Sequence, residues 1–161
     1  MAKHMIQDSN GAYHIKGATH LEILKLASDI ILAQLENKDV MGSPDDTRKF
    51  IQLRLSCQES ERFCVLYLDS RNQVIEFETP FYGTINGASV HPREIVKRAL
   101  HHNAAAVIFA HNHPSGLSEP SNADKTITQG LKNALALVDV KVLDHLVVGN
   151  DVLSFAERGL L

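Results

Sequence analysis

A run of seven apolar residues, from Ala104 to Ala110, is followed at once by a polar loop that begins with His111 and His113. A continuous apolar run of this length is typical of a strand buried on both faces, in a sheet that helices cover on each side. Open α/β sheets place their functional sites in the loops at the carboxyl ends of such strands. We therefore expect a layered α/β fold with a site within residues 111–124.

Helix and strand signals alternate along the rest of the chain. Thr19 and Glu22 form a predicted capping box before a helical apolar stripe, and Pro44 and Pro92 each stand in the first turn of another helix. A further helix is predicted from about residue 121 to 138, and strands over residues 63–68, 74–78, 140–148 and 152–155. Interleaved strands and helices predict the α/β class, with helices on both faces of the sheet.

The length of 161 residues fits one ordinary domain preceded by a short extension. We predict a flexible tail over residues 1–18, a helix within residues 19–42 and the main domain over residues 43–161. No apolar run approaches the ~18 residues of a membrane helix, so we expect no membrane partner. Cys57 and Cys64 match neither a CxxC pair nor a disulfide scaffold, which favours a reducing cytoplasm.

The charge gives little support to a nucleic-acid partner. A formal net charge of -3, from 16 basic and 19 acidic residues, produces no overall positive field. The one locally basic face is predicted on the helix after Pro92, where Arg93, Lys97 and His101 recur every four residues. A solvated helix face is the simpler explanation of this pattern, and the composition leaves the oligomeric state open.

His111 and His113 are the first candidate metal ligands. They stand two residues apart on an extended segment, so both imidazole rings point to the same side and can converge on one ion. A loop rich in proline and glycine then turns the chain and can bring Asp124 back as a third ligand. Two imidazoles and a carboxylate suit Zn(II) and leave a fourth position for water, which indicates a catalytic ion.

The same residues also have a purely structural interpretation. Ser121 and Asp124 alone predict a helix capping box, and an H-x-H pair alone is a weak signal. The metal hypothesis depends on their coincidence after a buried strand. Asp144 or His145 can then contact a ligand histidine, although a paired charge and a packed core histidine explain them equally well. Asn112 points to the other side of the strand, where a structural hydrogen bond is expected.

The spacing of His111, His113, Ser121 and Asp124 resembles the JAMM motif of the MPN metallohydrolases. More narrowly, residues 43–161 resemble the bacterial RadC family through His111–Gly116, Pro120–Ser121, Gly83–Thr84, Pro92–Glu94 and Leu143–His145. The resemblance implies a three-layer α/β/α fold with a mixed central sheet, related to the cytidine deaminases, and a zinc ion. Longer RadC proteins carry a helix-hairpin-helix DNA-binding module before this domain. Residues 1–42 stand in its place, so the chain resembles a short form.

The resemblance also implies catalytic roles. The family's general base is a glutamate just before the first core strand, which Glu61 matches, with Glu59 as the alternative. Glu61 takes a proton from a zinc-activated water in this mechanism and returns it to the leaving amine. Ser121 donates a hydrogen bond to the oxyanion that forms.

These expectations combine into one predicted function and two alternatives. The prediction is a zinc-dependent, metallopeptidase-like hydrolase that cleaves an amide or isopeptide bond in a protein or peptide. The first alternative is a DNA-repair-associated nuclease or DNA-processing accessory protein, which the family name suggests but the charge does not. The second is a non-catalytic scaffold with the MPN fold.

Overall fold

The computed structural model describes residues 5–8, 13–15, 17–36, 44–82 and 90–161. In chain order its elements are β1 (Met5–Gln7), β2 (Tyr13–Ile15), α1 (His20–Glu36), α2 (Pro44–Leu55), β3 (Arg62–Leu68), β4 (Val74–Tyr82), α3 (Pro92–His101), β5 (Ala106–Asn112), α4 (Asn122–Ala136), β6 (Lys141–Val148) and β7 (Val152–Ser154). The predicted order of helices and strands from α1 to β7 is therefore confirmed.

The main sheet has five strands in the order β4-β3-β5-β6-β7. Strands β5 and β6 run parallel, and every other neighbouring pair is antiparallel. The strand predicted from the apolar run lies at the centre of this mixed sheet, and its residues are almost all buried. A central position explains why the run lacks the polar alternation of a strand with one solvated face.

Helices cover both faces of the sheet, as expected. On one face, Phe50 and Ile51 of α2 pack against β3, β5 and β6. On the other face, α3 and α4 pack through Ile95 and Leu131 against a second cluster that includes Phe109. Complete burial of a side chain of this size contributes roughly 1.5–3 kcal/mol. The two apolar clusters therefore hold together the predicted three-layer α/β/α architecture.

The N-terminal region shows both an expected and an unexpected feature. Thr19 and Glu22 form the predicted capping box: the Thr19 N–H donates to a Glu22 carboxylate oxygen over 2.7 Å, and the Glu22 N–H donates to Thr19 Oγ1 over 3.3 Å. Within the predicted tail over residues 1–18, β1 and β2 form a small antiparallel pair.

Two further boundaries concern the predictions. Strand β4 runs to Tyr82, beyond the end predicted at residue 78, because it continues to pair with β3. Gly83 and Thr84, which contributed to the family resemblance, lie outside the described residues. Within the part of the chain that the structure describes, none of the helices has the length and apolar character needed to span a bilayer.

Candidate metal centre

The predicted site residues meet at one edge of the sheet because of strand direction. Strand β3 runs antiparallel to β5, with Phe63 opposite His111, so the beginning of β3 lies beside the end of β5. Glu61 directly precedes β3, and α4 begins nearby with Asp124 in its first turn. Glu61 and His111 are 50 positions apart along the chain, yet pairing between the strands brings them to the same place.

Four side chains converge there: Glu61, His111, His113 and Asp124 each offer a ligand atom, and these atoms all lie within 4.8 Å of one another. His111 Nε2 is 3.0 Å from His113 Nε2 and 3.5 Å from Asp124 Oδ1. His113 Nε2 is 3.5 Å from Asp124 Oδ2. Two nitrogens that bind one tetrahedral zinc ion are about 3.4 Å apart, given Zn–N bonds of about 2.05 Å. The cluster therefore has the dimensions of a metal site.

Ring orientation supports the same conclusion for His113. Its Nδ1 lies 2.7 Å from the carbonyl oxygen of Leu117. A carbonyl only accepts, so Nδ1 carries the proton and a neutral His113 presents its Nε2 lone pair to the cluster. Facing lone pairs of His113 and Asp124 repel one another unless a cation or a proton stands between them. The donor set thus fits a divalent cation.

Ser121 and Asp124 also form the predicted capping box. The Asp124 N–H donates to Ser121 Oγ over 3.1 Å, and the Ser121 N–H donates to Asp124 Oδ2 over 2.6 Å. Burial by itself raises the pKa of the Asp124 carboxyl, but the adjacent imidazole of His111, 3.5 Å from Oδ1, and the hydrogen bonds with Ser121 hold it well below its usual range. The structural and metal-binding interpretations are compatible, because the cap holds an ionised carboxylate at the cluster.

Asn112 has the structural hydrogen bonds expected of it, and they concern the loop that carries Glu61. Its Oδ1 accepts from the Arg62 N–H over 2.9 Å. Its Nδ2 donates to the carbonyl oxygens of Gln58 and Ser60 over 3.3 Å and 3.2 Å. This buried amide, which lies between the two histidines in sequence, therefore holds the residues on both sides of Glu61.

The loop after His113 is held by the turn that joins β6 to β7. The His113 N–H donates to the Val148 carbonyl, and the Asn150 N–H donates to the Gly116 carbonyl. A Cβ atom on Gly149 would stand 2.4 Å from the Gly116 oxygen, so only glycine allows this approach. Gly116 itself has a φ of 83°, which glycine adopts without strain.

Of the two residues considered as contacts of a ligand histidine, the structure selects His145. Its Nε2 lies 2.8 Å from His111 Nδ1, whereas Asp144 accepts hydrogen bonds from Ser154 and from nearby backbone N–H groups. Burial lowers the pKa of His145 well below its ordinary value. Sequence reasoning missed Thr128, whose Oγ1 lies 2.6 Å from His145 Nδ1. Its signal was a polar residue within the buried stripe of α4.

The basic face predicted on α3 is partly neutralised by acids. Arg98 binds Glu78 over 2.6 Å, and His102 lies 3.1 Å from the same carboxylate. Lys97 pairs with Glu94 over 3.3 Å. These contacts favour the interpretation of α3 as an ordinary surface helix.

An open mixed sheet between helical layers, with two histidines and two acids at the end of its central strand, defines a domain of the JAB/MPN type. Comparison with known families agrees, since residues 41–160 match the model described as RadC-like JAB domain. The chain belongs to this family, which confirms the resemblance seen in the sequence.

Curated relatives give the same picture. The chain is 57% identical over 139 residues to a UPF0758 protein of Thioalkalivibrio sulfidiphilus, a match that covers 86% of this chain and 62% of that protein. It is 53% identical over 140 residues to a UPF0758 protein of Vibrio cholerae, covering 87% of this chain and 89% of that one. The chain thus spans about three fifths of the first relative's length.

Proposed function

We propose that this chain is a zinc-dependent hydrolase that cleaves an amide or isopeptide bond in a protein or peptide substrate. The observation that carries the proposal is the convergence of Glu61, His111, His113 and Asp124 within 4.8 Å. His111, His113 and Asp124 supply the donor set of a zinc ion with an open position. Zinc bound there supplies a water with its pKa lowered to about 7 and a positive charge that polarises a carbonyl group.

Glu61 is the general base in this proposal. It directly precedes β3, and its carboxylate belongs to the same cluster as the proposed ligands. It accepts the proton of the attacking water and returns it to the leaving amine. The neighbouring Glu59 is exposed and lines a groove of about 890 Å³ with Ser60 and Arg62. That groove lies between α1 and the loop of Glu61, and none of the four residues of the cluster is among those that line it.

Ser121 is the proposed donor to the oxyanion of the tetrahedral intermediate. Its Oγ accepts the hydrogen bond from the Asp124 N–H, and a hydroxyl that accepts one bond still has a proton to donate. A donor of this kind contributes about 3 kcal/mol to stabilisation of the transition state.

Two free thiols, Cys57 and Cys64, support the inference that the protein acts in a reducing cytoplasm.

Metal analysis of the purified chain tests the metal centre. We expect close to one zinc ion per chain and its loss in His113→Ala. Zinc at a free concentration of 100 times its Kd stabilises the fold by about 2.7 kcal/mol, which raises the melting temperature by about 5–11 °C in a protein of this size. A melting temperature that does not change when zinc is added, in a protein that is purified without bound metal, would contradict the proposal.

Turnover by matched glutamate variants tests the chemistry. We expect Glu61→Gln to retain zinc and lose cleavage of peptide and isopeptide-linked substrates, and Glu59→Gln to retain both. Cleavage of DNA by the wild type that is lost in Glu61→Gln would replace the proposed substrate class. Zinc binding without any Glu61-dependent cleavage would favour the scaffold interpretation.

A further inference from the structure

A buried chain of hydrogen bonds leads away from the proposed metal centre into the protein. His111 Nδ1 lies 2.8 Å from His145 Nε2, and His145 Nδ1 lies 2.6 Å from Thr128 Oγ1. The Thr128 hydroxyl then donates to the backbone carbonyl of Asp124 over 2.5 Å. All three side chains are at most 1% exposed, so water has almost no access to these bonds.

The chemistry of these atoms fixes where each proton stands. The Asp124 carbonyl only accepts, so the single proton of the Thr128 hydroxyl is used in that bond. Thr128 Oγ1 must then accept from His145, which places the His145 proton on Nδ1. His145 Nε2 is left with a lone pair and accepts from His111 Nδ1. The reverse order would bring two acceptors together at 2.5 Å, between Thr128 and Asp124.

The surroundings of His145 support this order. The rings of Phe63, Phe109 and Phe155 pack around it, with centroid distances of 5.6, 5.9 and 4.8 Å. These rings offer no hydrogen-bond partner that replaces Thr128. A buried N–H that loses its acceptor is destabilised enough for the surroundings to select one tautomer of the ring.

The consequence falls on His111. With its proton on Nδ1, this ring presents the Nε2 lone pair to His113 Nε2 and Asp124 Oδ1, the atoms that face it across the cluster. For His113 the same tautomer follows directly from the Leu117 carbonyl. His111 lacks such a simple acceptor, since an imidazole can accept or donate.

We propose that Thr128, acting through His145, holds His111 in the tautomer that can bind a metal ion. Both are positioning residues, and the proposal rests on the metal centre proposed above. Metal-bound histidines commonly depend on the partner of their second ring nitrogen, and loss of that partner typically weakens metal binding by about 10- to 100-fold. In this protein the direction of the hydrogen bond between His111 and His145 is set by a further residue, Thr128, which does not contact His111 through this chain.

Substitution of Thr128 tests the proposal, with two measurements. Zinc Kd is measured by competition with a chromophoric chelator, and ¹⁵N NMR of ring nitrogens in zinc-free protein reports which nitrogen of His145 carries the proton. We expect Thr128→Val to move the His145 proton to Nε2 and to weaken zinc binding by about 10- to 100-fold. Thr128→Ser keeps the hydroxyl and should restore both properties.

Thr126→Val is the matched control. The Thr126 hydroxyl donates to the Asn122 carbonyl one turn earlier on the same helix, as the Thr128 hydroxyl does to Asp124, but it is exposed. This variant should leave zinc affinity and the His145 ring unchanged.

The results separate the two proposals. A wild-type protein whose His145 carries its proton on Nε2 overturns the inference even if no Thr128 variant folds. Unchanged zinc affinity in a folded Thr128→Val protein overturns it as well. Wild-type protein that binds no zinc but has the His145 proton on Nδ1 contradicts the proposed function and leaves the proton order correct.

Discussion

Replacement of Asn112 by alanine tests how firmly the loop of Glu61 is attached to the central strand. The variant removes three hydrogen bonds: one from the Arg62 N–H and two to the carbonyl oxygens of Gln58 and Ser60. Each hydrogen bond contributes about 0.5–1.5 kcal/mol net, and Asn112 is only 2% exposed, so water compensates little. We expect the free energy of unfolding to fall by about 2–4 kcal/mol.

Urea unfolding in excess EDTA measures this change without any contribution from bound metal. The corresponding decrease in melting temperature is about 5–15 °C for a chain of this length. Hydrogen exchange followed by mass spectrometry should show faster exchange over residues 58–62 in the variant, because the loop loses its attachment there.

Asn133→Ala is a suitable control, since Asn133 is exposed on α4 and its side chain accepts a hydrogen bond only from Gln129 among the described contacts. It should change the unfolding free energy by less than about 0.5 kcal/mol. A change that small in Asn112→Ala, with loop exchange unaltered, would refute the argument that this amide positions the loop.

Two further predictions concern the capping box of α4 and Glu78 of β4. Ser121→Ala should lower the unfolding free energy by about 1 kcal/mol, or the melting temperature by about 2–4 °C. Ser121→Thr should retain most of the stability that the cap contributes. An unchanged melting temperature in Ser121→Ala would contradict the stabilising role of the cap. Although burial raises the pKa of Glu78, hydrogen bonds from His102 and Arg98 lower it overall. Its contribution is therefore present above the unfolded pKa of about 4.3 and is lost as pH falls through the lower folded value, so Glu78→Gln should lose less stability on acidification below pH ~5 than the wild type. Denaturant unfolding at several pH values measures this, and parallel profiles would count against the pairing.

Local patterns in the sequence were sufficient to predict the helices and strands and part of the candidate site. The apolar run before His111 predicted the central strand, and the spacing of Ser121 and Asp124 predicted a cap that the structure contains. Such features depend on interactions between residues a few positions apart, so a single sequence displays them. The assignment of Glu61 came from family resemblance, because no local sequence pattern around Glu61 predicts that it lies close to the histidines.

Tertiary structure alone determined which distant groups touch the cluster. In the parallel pair of β5 and β6, Val147 stands opposite His111, and residues two apart on a strand share a face. His145 therefore reaches His111, whereas Asp144 points the other way, and a register change of one residue would have exchanged them. The helix α4 brings Thr128 to the other ring nitrogen of His145, the one that does not face His111. Strand register and helix packing arise from the whole core, which is why the sequence determined the spacing of the proposed ligands and only the fold determined their partners.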